Sequence, residues 1–492
     1  MYKRLAKQTI IYSIGSILPR IINYSFLKFF TISLKREEFS LYTDMYALSF
    51  FVIGFLSFGL ENTYFRFLYK KNSHRETVFS TGFIIQLLIT SFFLIISVNL
   101  IKHIIYFTGY QNHPEYFFMF FLIIFFDTIC ILPMAWFRAN EKPLEFTIIN
   151  VINIFVQSFI TIYLFFCSNN FFFRKTYFFS IFEWINSFTD KTGYIFFANT
   201  ISSLTNLLLV LPIILKKVII KKFDKNLAKK MLGYGIPIML GTIAFSINEN
   251  LDKILIKRWG SDEINGSYSA CYKIAAFMTL YIRMFRLGIE PFFFKKSEDA
   301  DAEYYYEEIN YIFILLGLIF YVLICGNIPI FMNFFLDKKY HFAMSIIPVI
   351  MMGNLFLGIY TNLSIFYKVV DKPIVGTYIS LVGVFITFLF NIIFILIPNS
   401  SFMIPAWGTL TSYGCMLVIL SIWIGKKFFK FFKKKRNIIT HFLFAIFLVF
   451  VINNKFSIND KKEMILRFFF QLLYFIIIFL LEKKRLINLI KQ

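Results

Sequence analysis

Long apolar runs separated by short polar breaks fill the whole chain. Fourteen of the runs are long enough to cross a hydrocarbon layer about 30 Å thick, which takes about 20 helical residues. They predict helices over 8–31, 43–64, 79–101, 115–137, 145–167, 193–215, 232–256, 266–294, 309–332, 342–366, 374–397, 403–425, 438–454 and 464–482. Unpaired backbone groups cannot face lipid, so each run is read as a helix. The longest expected break, 168–192, leaves no room for an extramembrane catalytic domain. The predicted fold class is an all-α polytopic membrane protein.

Composition agrees with that solvent. The chain is 58% hydrophobic and only 16% charged, which no soluble surface tolerates. A net charge of +23 would suggest nucleic acid in a soluble protein. Here the lysines sit between apolar runs, where they set topology, so no nucleic-acid partner is expected. With the N-terminus inside, the cytoplasmic breaks carry 31 Lys and Arg and the opposite breaks carry 13. That bias predicts an even number of spans and both termini in the cytoplasm. Met1 to Lys7 is basic, and the run after it is too long for a cleavable signal, so it reads as a retained first span.

Two heavily basic breaks, "KKVIIKKFDKNLAKK" (216–230) and "KKFFKFFKKKR" (426–436), divide the chain. They predict an N-terminal six-helix bundle over 1–215 and a basic cytoplasmic linker over 216–231. A second six-helix bundle covers 232–425, and 426–492 adds a basic loop and a final helix pair. Weak echoes support duplicated halves: "IGSILP" (14–19) with "LGYGIP" (232–237), "YTDMY" (42–46) with "YSACY" (268–272), and "GLE" (59–61) with "GIE" (288–290). Repeated halves around a central site are a recurrent transporter plan.

Charges inside spans are costly and mark cavities or partners, at about 2.5–3.5 kcal/mol each on insertion scales. They concentrate in spans one, two, seven and eight. Span one has Arg20 and Asn23; span two has Asp44 and Glu61; span seven has Glu249, Asp252 and Lys253; span eight has Lys273, Arg283, Arg286 and Glu290. Span four adds Asp127. At 100° per residue, Arg283, Arg286 and Glu290 share an arc of about 60°. Glu249 and Lys253 are i,i+4 neighbours with Asp252 beside them. Arginine forks suit phosphate recognition, so Arg20, Arg283 and Arg286 point to an anion-binding cavity, a pyrophosphate above all. Glu290 tempers the positive charge, and Pro291 kinks the helix. The alternative is a set of purely structural ion pairs.

No phosphate-binding Gly-rich loop with a Lys-Ser/Thr ending is present, and neither is an HExxH motif or a hydrolase elbow. No enzyme activity, cofactor or metal site is therefore expected. Cys130, Cys167, Cys271, Cys325 and Cys415 lie singly and read as small core residues. His74, His103, His113, His341 and His441 read as unpaired residues in breaks or at span edges.

The stretches "YSIGSILPRIINY", "FGLENTYFRF" (58–67), "AWFRANEKP" (135–143), "YGIPIMLGTIAFSINENLDKILI" (234–256), "GSYSACYKIAAF" and "FRLGIEPFFFKK" resemble the multidrug/oligosaccharidyl-lipid/polysaccharide exporter superfamily. The closer resemblance is to its polysaccharide-biosynthesis flippases, with lipid II flippases as relatives. The resemblance covers essentially the whole chain. It implies two helix bundles with alternating access and a polyprenyl-pyrophosphate-linked saccharide in a central cavity. Substrate binding falls to cationic residues of spans one, two, seven and eight, here Arg20, Arg283 and Arg286. Span two departs from the pattern, with acids inside the membrane and Arg66 only at its inner end. The implied partners are that lipid, membrane lipids and a coupling cation, H+ or Na+. The implied setting is the bacterial inner membrane, with the protein as a monomer. Rival readings are a lipid II flippase, a multidrug or small-molecule cation antiporter of the same fold, a membrane glycosyltransferase, polymerase or ligase, and a major-facilitator carrier. The enzymes lack a catalytic constellation here, and the last lacks its Gly- and Arg-rich loop after span two.

Overall fold

The computed structural model describes residues 2–70, 74–169, 188, 190–295, 302–364, 366–367, 374–425, 437–455 and 461–491. Most of the expected 168–192 break and all of 426–436 lie outside the described residues. The helices are α1 (Tyr2–Ser33), α2 (Arg36–Leu56), α3 (Leu60–Leu68), α4 (Arg75–Asn99), α5 (Ile101–Thr108), α6 (Pro114–Ala139), α7 (Pro143–Asn169), α8 (Thr192–Lys217), α9 (Lys225–Leu255), α10 (Asp262–Ala275), α11 (Phe277–Lys295), α12 (Ala302–Cys325), α13 (Ile328–Phe335), α14 (Ile346–Leu363), α15 (Ile374–Leu396), α16 (Met403–Ile424), α17 (Asn437–Lys455) and α18 (Lys461–Lys491). No strand occurs among the described residues. Among the described residues, twelve helical stretches are long and apolar enough to cross a membrane, and they fall on twelve of the fourteen expected runs. The other two runs are helical as well: α1 covers 8–31, and α10 with α11 covers 266–294. The chain is a multi-pass membrane protein. Large apolar side chains such as Phe92, Phe159 and Phe385 stand exposed on its helices. Lipid is the solvent that accepts such a surface.

The chain forms two compact units, Met1–Gly266 and Ser267–Gln492. In the first, α6 packs on α4 and α8, α7 packs on α1 and α8, and α9 runs along α2 and α3. Helix α9 thus belongs to the first unit. The loop before it is clamped to the start of α4: Ile219 N–H donates to Ser80 Oγ at 3.0 Å, and Asp224 N–H donates to Thr81 Oγ1 at 3.1 Å.

Span two is two helices rather than one. Between α2 and α3, Phe58 and Gly59 both take left-handed backbone conformations, with φ of 45° and 59°. A broken helix frees backbone groups that lipid cannot satisfy. Here several of them find partners. Ser57 N–H donates to Ile53 O at 2.9 Å, Leu60 N–H to Ser57 O at 2.8 Å and Thr63 N–H to Gly59 O at 3.0 Å. The fully buried Gln86 of α4 donates from Nε2 to Leu56 O at 2.9 Å. The break bulges toward α9, where Gly235 makes room. A Cβ there would lie 2.2 Å from Phe58 O. The "GIE" echo at 288–290 has no such break, because α11 is helical through it; span eight is instead interrupted at Ala276.

In the second unit, α14 packs on α11, α12 and α16, α15 packs on α16, and α17 packs on α12. The final helix pair is fastened by polar side chains at both ends of α12. At one end Tyr311 O–H donates to Glu482 of α18, and His441 Nε2 of α17 lies 3.4 Å from the same carboxylate. At the other, Asn327 Nδ2 donates to Gln471 Oε1 at 2.9 Å, Arg467 to Gly326 O at 3.1 Å and Asn453 Nδ2 to Cys325 O at 3.0 Å.

Two expectations change. His441 is paired, and His113 lies 3.7 Å from Asp190 and 3.9 Å from Glu115. Cys130, Cys271 and Cys325 are buried, but Cys415 is exposed. The side chain of Cys167 lies outside the described residues.

Gln86→Leu removes the donor that satisfies Leu56 O in the broken span. It is expected to destabilise the protein by about 1–3 kcal/mol, read as a lower thermal-unfolding midpoint in detergent. Thr242→Ala, which alters an exposed side chain bonded within its own helix turn, serves as the comparison.

Candidate functional site

The residues expected to bind substrate divide between the two units. In the first, Arg20 lies half-buried on α1 and Asn23 is exposed one turn on. Tyr24 lies within electrostatic reach of both Arg20 and Glu249 of α9. Arg20 lies on α1 one turn before Tyr24, and Glu249 lies on α9. One turn beyond Glu249, Asp252 and Lys253 are buried. Lys253 Nζ donates to the Glu249 carbonyl and lies 3.3 Å from Asp252 Oδ1. Asp252 Oδ1 also accepts from Lys253 N–H at 2.8 Å. The adjacent carboxylate and ammonium compensate each other locally.

In the second unit, Lys273 lies half-buried on α10. On α11, Arg283 is exposed and Arg286 is half-buried. The side chain of Glu290 lies outside the described residues. Nearby, Tyr281 stacks on Phe313 and Phe320 and donates its hydroxyl to Phe313 O at 2.7 Å.

The densest charged cluster of the first unit contains an arginine that the sequence did not single out. Asp44 of α2 is fully buried. Its two carboxylate oxygens accept from Arg258 at 2.9 and 3.2 Å, a bidentate pair. Arg258 projects from a π-helical turn, Ile256–Gly260, that follows α9. Widened turns of this kind re-aim side chains. Tyr110 O–H also donates to Asp44. Burial first, and then the Asp44 carboxylate, push the Tyr110 phenol well above its ordinary value, so it stays a donor. Next to the pair, Lys257 Nζ donates to Asp262 at 2.6 Å and lies 5.0 Å over the Tyr110 ring. Asp262 also accepts from Ser40 at 2.8 Å, and Arg36 pairs with Glu263. The cluster ties one end of α2 to the end of α9 and to the turn after α5. A signal was available: "IKRWGSDE" closes span seven with two bases followed by two acids, matching the acid in span two.

The other motifs fasten the opposite end of α3. Glu61 pairs with Arg138, whose guanidinium lies 5.2 Å from the Phe65 ring centroid. Arg66 lies 4.2 Å over Tyr234. The "AWFRANEKP" turn closes α6 with Glu141 at φ 53°. Lys142 N–H reaches back to Phe137 O at 2.9 Å, a C-terminal cap that Pro143 then ends. Asp127 of α6 is hydrogen-bonded by Ser203 of α8. No group of three or more metal-ligating side chains occurs among the described residues.

Removing one partner of a buried ion pair costs about 3–5 kcal/mol, because the other charge is stranded. Asp44→Asn and Arg258→Gln are each expected to lower the unfolding midpoint. The double variant should lose less than their sum, by about 0.5–3 kcal/mol of coupling. Thermal unfolding of the four proteins in detergent measures it.

Comparison with known proteins places the chain. No curated protein sequence matches it. Among solved structures, the fold is similar to the lipid II flippase MurJ in an inward closed conformation. The TM-score is 0.68 at 18% identity, covering 97% of this chain and all of that one. It is also similar to an inward-facing multidrug resistance MATE transporter of the MOP superfamily, with a TM-score of 0.64, 12% identity, and coverage of 86% and 99%. The MATE multidrug transporter DinF-BH gives a TM-score of 0.60 at 14% identity, covering 89% and 96%. These likenesses establish the fold of that superfamily. The family model described as "Polysaccharide biosynthesis protein" matches residues 5–285, more than half of the sequence, and the chain belongs to that family.

Proposed function

We propose that the protein is a flippase that carries a polyprenyl-pyrophosphate-linked saccharide from the inner to the outer leaflet of the bacterial inner membrane. The observation that carries the reading is Arg20 on a membrane helix, half-buried and within electrostatic reach of Tyr24, in a chain of the polysaccharide biosynthesis family. An arginine kept in a span is expensive unless a cavity or an anion rewards it. Arg283 and Arg286 on α11 supply further guanidinium groups on one stripe. The sugar and pyrophosphate would cross in a hydrated, cationic chamber while the prenyl chain stays in hydrocarbon. Opening would alternate between the two sides of the membrane.

A feature of the second unit supports a prenyl chain as cargo. An apolar groove of about 630 Å³ lies between α12, α13 and α18, lined by Leu323, Ile330, Phe331, Phe468, Leu472 and Phe475. Its polar edge is closed by the Asn327–Gln471 hydrogen bond. The reset step is driven by a coupling cation, H+ or Na+, or by the membrane potential, with both termini in the cytoplasm.

The test is transport by purified protein in vesicles. A fluorescent prenyl-pyrophosphate saccharide should lose its protection from an external quencher when the protein is present. Arg283→Ala with Arg286→Ala should abolish that transfer while expression and unfolding midpoint stay unchanged. Unchanged transport in the double variant would remove both residues from the site. Transfer of lipid II alone would select the peptidoglycan precursor as cargo. Export of small cations with no lipid transfer would select the antiporter reading. Imposed H+ and Na+ gradients in the same vesicles identify the coupling ion.

A further inference from the structure

A second basic pocket lies wholly inside the first unit, away from Arg20 and Glu249. It has a volume of about 200 Å³ and is lined by Tyr64 and Leu68 of α3, Arg75, Glu76 and Phe79 of α4, Trp136 and Asn140 at the end of α6, and Lys217 of α8. These are the helix ends that meet the lysine-rich breaks.

The pocket holds two cationic side chains and one acid. Arg75 and Lys217 have no ion-pair partner among the described residues. The acid in the lining, Glu76, is already taken by Lys222. Tyr64 is buried to 1% exposure, yet its hydroxyl has no hydrogen-bond partner among the described residues. Tyr64 lines the pocket, so a ligand oxygen there could accept from its hydroxyl. The indole N–H of Trp136 is also without an acceptor among the described residues. The start of α4 adds the positive end of a helix dipole, since His74 gives it no side-chain cap.

The surroundings place this pocket at the membrane–water boundary. The adjoining loop is rigidly held by Ser80 and Thr81. Leu215 at the end of α8 and Ile220 in the loop are exposed apolar side chains beside Lys216, Lys217, Lys221 and Lys222. Apolar anchors flanked by lysines suit the headgroup layer of an anionic leaflet.

We propose that this pocket binds the phosphate of an anionic phospholipid headgroup. Arg75 and Lys217 hold the charge, and Tyr64 and Trp136 donate to its oxygens. The site is separate from the transport reading and does not depend on it.

The test uses the full-length protein in maltoside detergent, with Trp fluorescence and native mass spectrometry as readouts. The probes are short-chain phosphatidylglycerol, short-chain phosphatidylcholine and inorganic phosphate. Each basic residue near an anionic surface contributes about fivefold in affinity, so Arg75→Gln with Lys217→Gln should weaken phosphatidylglycerol binding by about twenty-five-fold. Tyr64→Phe should weaken it by a smaller factor with no change in unfolding midpoint. Lys339→Gln, on an exposed loop of the second unit, should leave it unchanged. Phosphatidylglycerol binding tighter than both other probes, and lost in the double variant, upholds the proposal. Inorganic phosphate binding as tightly as the lipid, with the same loss, upholds the phosphate pocket but assigns it to a soluble ester. Wild-type affinity in the correctly folded double variant overturns it.

Discussion

Hydrocarbon offers no hydrogen bonds, so a polar group inside a membrane span is stabilised by a partner within the chain. That constraint explains features that would be optional in water. Asp44 sits in full burial because Arg258 meets both its oxygens and Tyr110 donates to it. Glu482 sits buried between Tyr311 and His441. The freed carbonyl of Leu56 draws in Gln86 from a neighbouring helix. In each case the polar contact also ties one helix to its neighbour.

The interruption of span two shows how a local irregularity and a packing contact depend on each other. Two consecutive left-handed residues push Phe58 O outward, and only a helix lacking a side chain at that level can lie against it. Gly235 of α9 provides that level. Backbone-to-backbone approach of this kind is how small residues hold membrane helices together without a hydrophobic driving force. Helix α9 then follows α2 to the far end, where Arg258 meets Asp44. The two contacts, one steric and one ionic, set the register of α9 along α2.

Much of this was legible in the sequence. Twelve of the expected runs reappear as apolar spanning helices, because length and hydropathy are dictated by bilayer thickness and survive any detail of packing. Arg20 and Glu249 were visible as charges in spans, and the first unit places both near Tyr24. Arg258 was not singled out, because it lies just past the apolar run and resembles an ordinary topology-setting base. Only the π-helical turn and the buried acid of α2 give it a different role. The pairing of His441 was invisible too, since Glu482 lies 41 residues away in another helix. The break at Phe58–Gly59 was masked by a continuous apolar run: hydropathy measures depth in the bilayer and carries no information on backbone hand.

The polar seams between α12 and the last two helices bear on how such a chain can have grown. A helix pair joined only by greasy surfaces could be gained or lost without touching its neighbour. Here deletion of α17 and α18 would take the Glu482 acceptor from Tyr311 and the Gln471 acceptor from Asn327. A twelve-helix ancestor or a shortened variant therefore requires matching changes on α12, and this appendage evolves together with the helix that carries it.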